Sequence, residues 1–442
     1  MTTYGKCGII SAMLRFNENN EVIRQDEYKA ILVGLQRDRE EDISYSMEEL
    51  KGLAEAANVE VLGMMTQNLE RPNTATLIGK GKVEELTEMV RNMEADTVLF
   101  NDELTGMQLR NLEDAVGVRV IDRTILILDI FADRASSREG KLQVELAQLQ
   151  YRMPRLTGFG KSLSRLGGGI GTRGPGEKKL ETDRRHIEKR MYDIKEELDQ
   201  IKNTRGVQRA KREKSEIPVV ALVGYTNSGK SALMNRLLTL TEKEEKTVFE
   251  KNMLFATLDT AQRSVVLDTN HQFILVDTVG FVSKLPHSLV NAFKATLEEV
   301  AYADLLIHVV DSSYENHEFH INVTNKVLKE IGAGDKEKIM AFNKIDLIED
   351  PGMIVPVQGA ENICISAKQD INIDQLIELI KSRIFKDNVR AQLLVPYTRG
   401  DISSYLCEKA KVNVMDYREN GTYFDVELKT ADYQRYKEYE II

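Results

Sequence analysis

Eight consecutive residues, Gly224, Tyr225, Thr226, Asn227, Ser228, Gly229, Lys230 and Ser231, have the types and order needed to hold a chain of phosphates. A β-rich apolar run, Ile217 to Gly224, leads into them, and a helical pattern, Ala232 to Leu240, follows. In that context a glycine loop wraps its N–H groups around a phosphate, with the helix dipole behind it. Gly224 and Gly229 permit the tight loop, Lys230 bridges the β- and γ-phosphates, and the Ser231 hydroxyl ligates Mg²⁺. A second pattern, Asp277-Thr278-Val279-Gly280, closes an apolar run that begins at Gln272. Asp277 at such a strand end can reach the Mg²⁺ through water, and Gly280 leaves room for its amide to approach the γ-phosphate. The base is set by a third pattern, Asn343-Lys344-Ile345-Asp346, after the apolar run Ile339 to Phe342. A carboxylate at Asp346 accepts two hydrogen bonds from guanine N1–H and the exocyclic amine. Adenine has neither donor there, so the acid would stay buried and unpaired. Asn343 braces the loop, the Lys344 stem can lie along the base, and the amides of Ser366-Ala367-Lys368 can meet guanine O6. These motifs in this order, each at a strand end, describe a GTP site.

Hydrolysis needs more. A threonine between Lys230 and Asp277 must close on Mg²⁺ and the γ-phosphate; Thr257, in the run Leu254 to Asp259, is the best candidate and Thr260 the alternative. Lys230, Thr257 and Gly280 are thus the expected catalytic groups. Directly after Gly280 stands Phe281, where many GTPases place a glutamine that orients the attacking water. Phenylalanine cannot do this, so the sequence predicts slow intrinsic hydrolysis and a partner that completes the site. A different class of function, an ATPase or RNA-remodelling enzyme, is opposed by Asp346; a second nucleotide in the N-terminal region stays open.

The elements around these motifs alternate. Strands are expected at Lys29 to Leu35, Val59 to Met65, Asp96 to Asn101 and Val118 to Ile121, with helices at Met47 to Asn58, Val83 to Met93 and Thr105 to Ala115. Such alternation implies a small α/β domain with a largely parallel sheet. The apolar run Ile125 to Ile130, with Asp129 inside it, fits a further buried strand. Beyond it, Leu142, Leu146, Leu149 and Met153 form one heptad seam, and Ile187, Met191, Ile194, Leu198 and Ile201 another. Two such helices in one chain pair most simply as an antiparallel hairpin. Between them, Leu156 to Lys179 is rich in Gly, Ser, Arg and Lys and poor in core residues. A flexible connector is the plain reading. The glycines also let backbone approach a phosphate chain, and Arg155, Lys161, Arg165, Arg173 and Lys178 are candidates for RNA contact. Asn203 to Ser215 reads as the end of the second helix and a linker, and the tail as a hairpin turning at Asn420-Gly421.

Composition bounds the rest. The 442 residues are 42% hydrophobic and 29% charged, a globular composition with no apolar run long enough for a signal peptide or a membrane span. Cys7, Cys364 and Cys407 lie far apart, which suggests a reducing cytosol and no disulfide or zinc framework. The net charge of −10 disfavours nucleic acid, but Arg134 to Arg185 holds twelve Lys/Arg against five Asp/Glu.

The sequence resembles the HflX family of translation-associated GTPases, most densely over Asp122 to Leu156 and over LSRLGGGIGTRGPGEKKLETDRR, Leu163 to Arg185. LFATLD and DTVGF look like the family's switch sequences. The resemblance carries Phe255, Ala256, Thr257, Leu258 and Asp259 over as the first switch and makes Phe281 a family trait. It implies an α/β multidomain protein: an α/β domain (29–135), a helical hairpin with its basic loop (136–215), a P-loop GTPase domain with a mostly parallel sheet (216–388) and a small α+β C-terminal domain (389–442); the first 28 residues match nothing in the family and stand as an N-terminal extension (1–28). Also implied are GTP as substrate with Mg²⁺, and GTP-dependent binding of the large ribosomal subunit and its RNA. A role in ribosome splitting or rescue under stress, hydrolysis stimulated on the ribosome, a cytoplasmic location and a monomeric state complete the expectation. Two departures, Thr260-Ala261-Gln262-Arg263 where a proline is common and Lys178 where a threonine is, leave the nucleotide residues intact.

Overall fold

The computed structural model describes residues 28–37, 43–156, 175–215, 217–240, 261–268, 271–284, 297, 299–349 and 356–441. The chain divides into two units. One comprises Met1–Ala210, Lys251–Asp259 and Val279–Leu297; the other comprises Lys211–Glu250, Thr260–Thr278 and Glu298–Ile442.

In the first unit, β1 (Tyr28–Gln36), β2 (Val59–Asn68), β3 (Thr97–Phe100) and β4 (Arg119–Asp122) form a parallel sheet in the order β2-β1-β3-β4. Its inner strands read as unbroken apolar runs because parallel sheets are covered on both faces; Ala30, Ile31, Leu32, Val33, Val98 and Phe100 are all buried. Helices α1 (Ile43–Ala56), α2 (Lys80–Met93) and α3 (Gly106–Val116) connect the strands. Gly79 caps α2, so the glycine and lysine run Leu77 to Lys82 serves a helix start. Thr105 and Gln108 close a reciprocal capping box on α3, which fixes its first turn.

One expectation is overturned. Ile125 to Ile130 is not a strand but the middle of helix α4 (Arg123–Arg134). The Asp122 side chain accepts a hydrogen bond from the Ile125 amide at 3.0 Å and so starts a helix where the apolar run starts. Leu126, Ile127, Leu128, Ile130 and Phe131 are buried, so the six-residue run taken by itself is almost continuously apolar and reads as a buried strand.

Helix α5 (Arg138–Leu156) and helix α6 (Pro175–Ser215) form the hairpin. Leu142, Leu146 and Ile194 make its buried seam, flanked by Leu149, Met191, Leu198 and Ile201. Met153 and Ile187, the outermost members of the two seams, are half-buried. Ion pairs Glu139–Arg205 at 2.6 Å and Glu145–Arg190 at 2.7 Å run in reverse order along the two helices, as an antiparallel pair requires, and Arg138–Glu197 at 2.7 Å joins them. Residues 203–215, read partly as linker, continue α6 as helix.

In the second unit, six strands lie in the order β10-β9-β8-β5-β7-β6. They are β5 (Val219–Val223), β6 (Ala261–Asp268), β7 (His271–Asp277), β8 (Leu305–Asp311), β9 (Lys338–Asn343) and β10 (Glu361–Cys364), with only β6 antiparallel to its neighbour. Helices α7 (Lys230–Thr239), α8 (His317–Glu330) and α9 (Ile373–Ile384) belong to the same unit. Leu233, Met234, Leu237, Leu376 and Ile380 from α7 and α9 join Leu222, Leu275, Ile307 and Ala341 from the strands in one core. The tail adds β11 (Asn388–Val395), α10 (Gly400–Lys409), β12 (Lys411–Arg418), β13 (Gly421–Lys429) and α11 (Thr430–Tyr436), with the strands antiparallel in the order β11-β13-β12. The hairpin register corrects the expected turn: Arg418 pairs with Gly421, so Glu419 and Asn420 form the turn and Gly421 opens the strand. Gly421 takes φ +153°, and a side chain there would run into the Val395 carbonyl.

Candidate nucleotide-binding site

The site grows from the carboxyl ends of β5, β7, β8, β9 and β10, where an open α/β sheet offers its loops. Gly224 directly follows β5, and its missing Cβ leaves room for the Val309 carbonyl of β8. Gly229 caps α7 at φ +92°, and a Cβ there would strike the Asn343 amide. Lys230 is buried, and its amine donates to the carbonyls of Gly224 at 3.1 Å and Tyr225 at 2.7 Å. Burial pushes this amine down to about 8, against the pull of the Asp277 charge.

Parallel pairing sets Asp277 of β7 opposite Leu222 of β5, hence beside the loop that follows β5. Ser231 donates its hydroxyl to Asp277 Oδ2 at 2.7 Å, and Thr278 donates to the Leu222 carbonyl at 2.7 Å. A hydroxyl and a carboxylate in contact are the hard-oxygen pair that a Mg²⁺ site uses together with substrate phosphates. Among the described residues no group of three or more His, Cys, Asp or Glu is placed to hold a metal.

Asn343 ties three loops together. Its Nδ2 donates to the Ser228 carbonyl at 2.9 Å, its Oδ1 accepts the Ala367 amide at 3.0 Å, and its carbonyl accepts the Ser312 hydroxyl at 2.8 Å. Lys344 turns the chain with φ +66° and pairs with Asp311 at 2.7 Å. That turn brings Asp346 out to an exposed position, where Oδ1 accepts the Ser366 hydroxyl at 2.6 Å. Ile345 is half-buried beside it, and Lys368 is exposed.

The fold therefore gathers Gly224 to Ser231, Asp277, Thr278, Asn343 to Asp346 and Ser366 to Lys368 around one sheet end, as the motif order predicts. Two of the amides offered to a base are engaged within the protein, Ser366 with Ile371 at 3.1 Å and Ala367 with Asn343. Val279, Gly280 and Phe281 cluster with the other unit, all buried. Phe255, Ala256, Thr257, Leu258, Asp259 and Thr260 lie outside the described residues, as do Lys161, Arg165, Arg173 and the side chain of Lys178. Arg155 is described. It lies over the Tyr151 ring at 3.4 Å and donates to the carbonyls of Leu104 at 2.7 Å and Tyr151 at 2.8 Å, so its guanidinium faces its own chain.

Sequence reasoning missed two supports. Asp311, which holds Lys344, ends the apolar run LLIHVVD, the same strand-then-acid signal that marked Asp277. His320 stacks between Tyr225 at 3.9 Å and Tyr314 at 4.6 Å and fixes the phosphate-loop tyrosine; nothing in the spacing announced it.

Comparison with known proteins places this geometry. The phosphate loop and Asn343 fall within residues 219–344, which match a family model described as 50S ribosome-binding GTPase. Residues 44–132 match a GTP-binding GTPase N-terminal model and residues 134–212 a GTP-binding GTPase middle region. A curated protein of Caldanaerobacter subterraneus subsp. tengcongensis, GTPase HflX, is 48% identical over 98% of both chains. The chain belongs to the HflX family of GTPases.

The GTPase HflX of Escherichia coli is 38% identical over 92% of this chain and 95% of its own. That of Lacrimispora saccharolytica is 42% identical over 91% and 93%. Among solved structures, a GTP-binding protein from Sulfolobus solfataricus in complex with GDP covers 81% of this chain and 99% of its own, at 26% identity and a TM-score of 0.43. As an HflX-family member the protein is a P-loop GTP hydrolase, and GTP is its substrate. No helix among the described residues is long and apolar enough to cross a membrane.

Proposed function

We propose that this GTPase binds the large ribosomal subunit, including its RNA, when loaded with GTP, and acts in ribosome splitting or rescue under stress. The supporting observation is Phe281, buried at 2% exposure directly after Gly280, in place of a residue able to orient water. A GTPase built so needs a partner to complete its site, and the match over residues 219–344 to a model described as 50S ribosome-binding GTPase points to the large subunit. Gly224 to Ser231 would hold the phosphates, Asp346 the guanine edge and Asn343 the loop between them. Mg²⁺ would sit on Ser231 and Thr257, with Asp277 reaching it through water; the contact between Ser231 and Asp277 fits that donor set. The basic segment between α5 and α6 would meet ribosomal RNA through Lys161, Arg165, Arg173 and Lys178, phosphate contacts that position without reading sequence. A monomer working in the cytoplasm accords with this role.

Co-sedimentation with large subunits tests the proposal. Wild-type protein should pellet with the subunit in a non-hydrolysable GTP analogue and far less in GDP. Deletion of Leu163 to Gly176 should abolish pelleting and leave nucleotide affinity within about twofold, since uniform phosphate contacts are lost and the GTP site is untouched. Undiminished pelleting of the deletion variant contradicts the role given to that segment.

A further inference from the structure

The first unit contains a buried polar cluster that the nucleotide site does not use. Glu49 lies on α1, Asn101 directly follows β3, and Arg123 opens α4 directly after β4. Arg123 is 2% exposed, donates to Asn101 at 2.8 Å and pairs with Glu49. The third partner is distant in sequence. Ser283, also buried, accepts from Arg123 at its carbonyl oxygen at 3.1 Å and at its hydroxyl at 3.2 Å, and donates that hydroxyl to Glu49.

The location matters. With the strand order β2-β1-β3-β4, the connections reverse direction between β1 and β3, and the crevice beyond the carboxyl ends of the strands at such a point is where open α/β sheets bind ligands. Here the strand ends at β3 and β4 present Asn101 and Arg123 to a segment of the protein's own chain. That segment is the one that follows Asp-Thr-Val-Gly, and the chain leaves the nucleotide unit between Thr278 and Val279. Gly280, Phe281 and Val282 are buried ahead of Ser283, so little slack separates the amide meant for the γ-phosphate from the ion pair.

We propose that Arg123 and Glu49 are positioning residues for the GTPase switch, clasping Ser283 so that the state of the nucleotide at Gly280 and the state of the N-terminal sheet are coupled. GTP asks the Gly280 amide to meet a γ-phosphate, and GDP does not. A clasp three residues away that fits one of the two arrangements better shifts the two affinities unequally when it is removed, by linkage. A purely structural ion pair would lower stability and leave their ratio alone. The coupling resides in the protein itself and needs no ribosome, so it stands or falls apart from the partner proposed above.

The test measures affinities of full-length protein for a non-hydrolysable GTP analogue and for GDP, in wild type, Ser283→Ala, Glu49→Gln and the double variant. Each single change should move the ratio of the two affinities about tenfold and in the same direction, the usual size of coupling between sites. The double variant should move it no further, because both changes open one clasp. Ratios within twofold of wild type, shifts of opposite sign or shifts that simply multiply would overturn the proposal. Should Glu49→Gln fail to fold, Ser283→Ala, which removes one hydroxyl, decides alone by the same criterion.

Discussion

Asp346 and Lys230 are the residues on which the nucleotide reading turns, and each supports its own prediction. Asp346 is exposed with one oxygen bound to Ser366, so its other edge is available to a base. Replacing the carboxylate in Asp346→Asn sets an amide donor against the guanine donors and should lower GTP affinity on the order of a hundredfold or more, with xanthosine triphosphate preferred in competition. A variant that still prefers GTP contradicts the assignment. Lys230 is held near 8 in the free protein, chiefly by burial. A bound phosphate raises that value again, since opposite charge favours the ammonium. Below about 8 the amine is protonated before and after binding; above it, binding must take up a proton. GDP affinity should therefore fall as pH rises past about 8, by up to tenfold per unit, with uptake of close to one proton at pH ~9 and little at pH ~7. Calorimetry in buffers of different ionisation enthalpy reads the proton directly. Pairing of Lys344 with Asp311 and stacking of Tyr225 on His320 were not legible in sequence, because both join side chains whose proximity exists only once β8, β9 and α8 are packed.

At the scale of elements, most of the pattern was readable where one face or strand end dominates. The strands ending in Asp277 and Asn343 were located by unbroken apolar runs terminated by polar residues, and the hairpin seams by their heptads. The errors share a cause. The apolar run inside helix α4 is too short and continuous to show a helical period by itself, and the signal lay outside it, in Asp122 as a cap. The C-terminal hairpin was misplaced by one residue because an Asn-Gly pair was read as a turn of left-handed residues, whereas its glycine answers to a neighbouring strand. That difference is measurable. Gly421→Ala should destabilise the β11-β13-β12 sheet by about 1–3 kcal/mol, since its φ of +153° and the Val395 carbonyl both reject a side chain. Asn420→Ala should change it by less than about 0.5 kcal/mol. Amide exchange protection across β12 and β13 reports both, and equal effects would contradict the register.

For the whole molecule, an acidic chain with one basic segment suits a partner that is itself polyanionic and met at a defined place. Family membership and GTP hydrolysis follow from the comparisons and the site; the ribosomal partner rests on Phe281, on the basic segment and on the name given to the matching family model. GTP turnover by purified protein, with and without large ribosomal subunits, tests the central claim most directly. Slow hydrolysis alone and acceleration of roughly a hundredfold or more on the subunit is the predicted result, within the range by which partners complete GTPase sites. Turnover of several per second without ribosomes, or no stimulation by them, would contradict it.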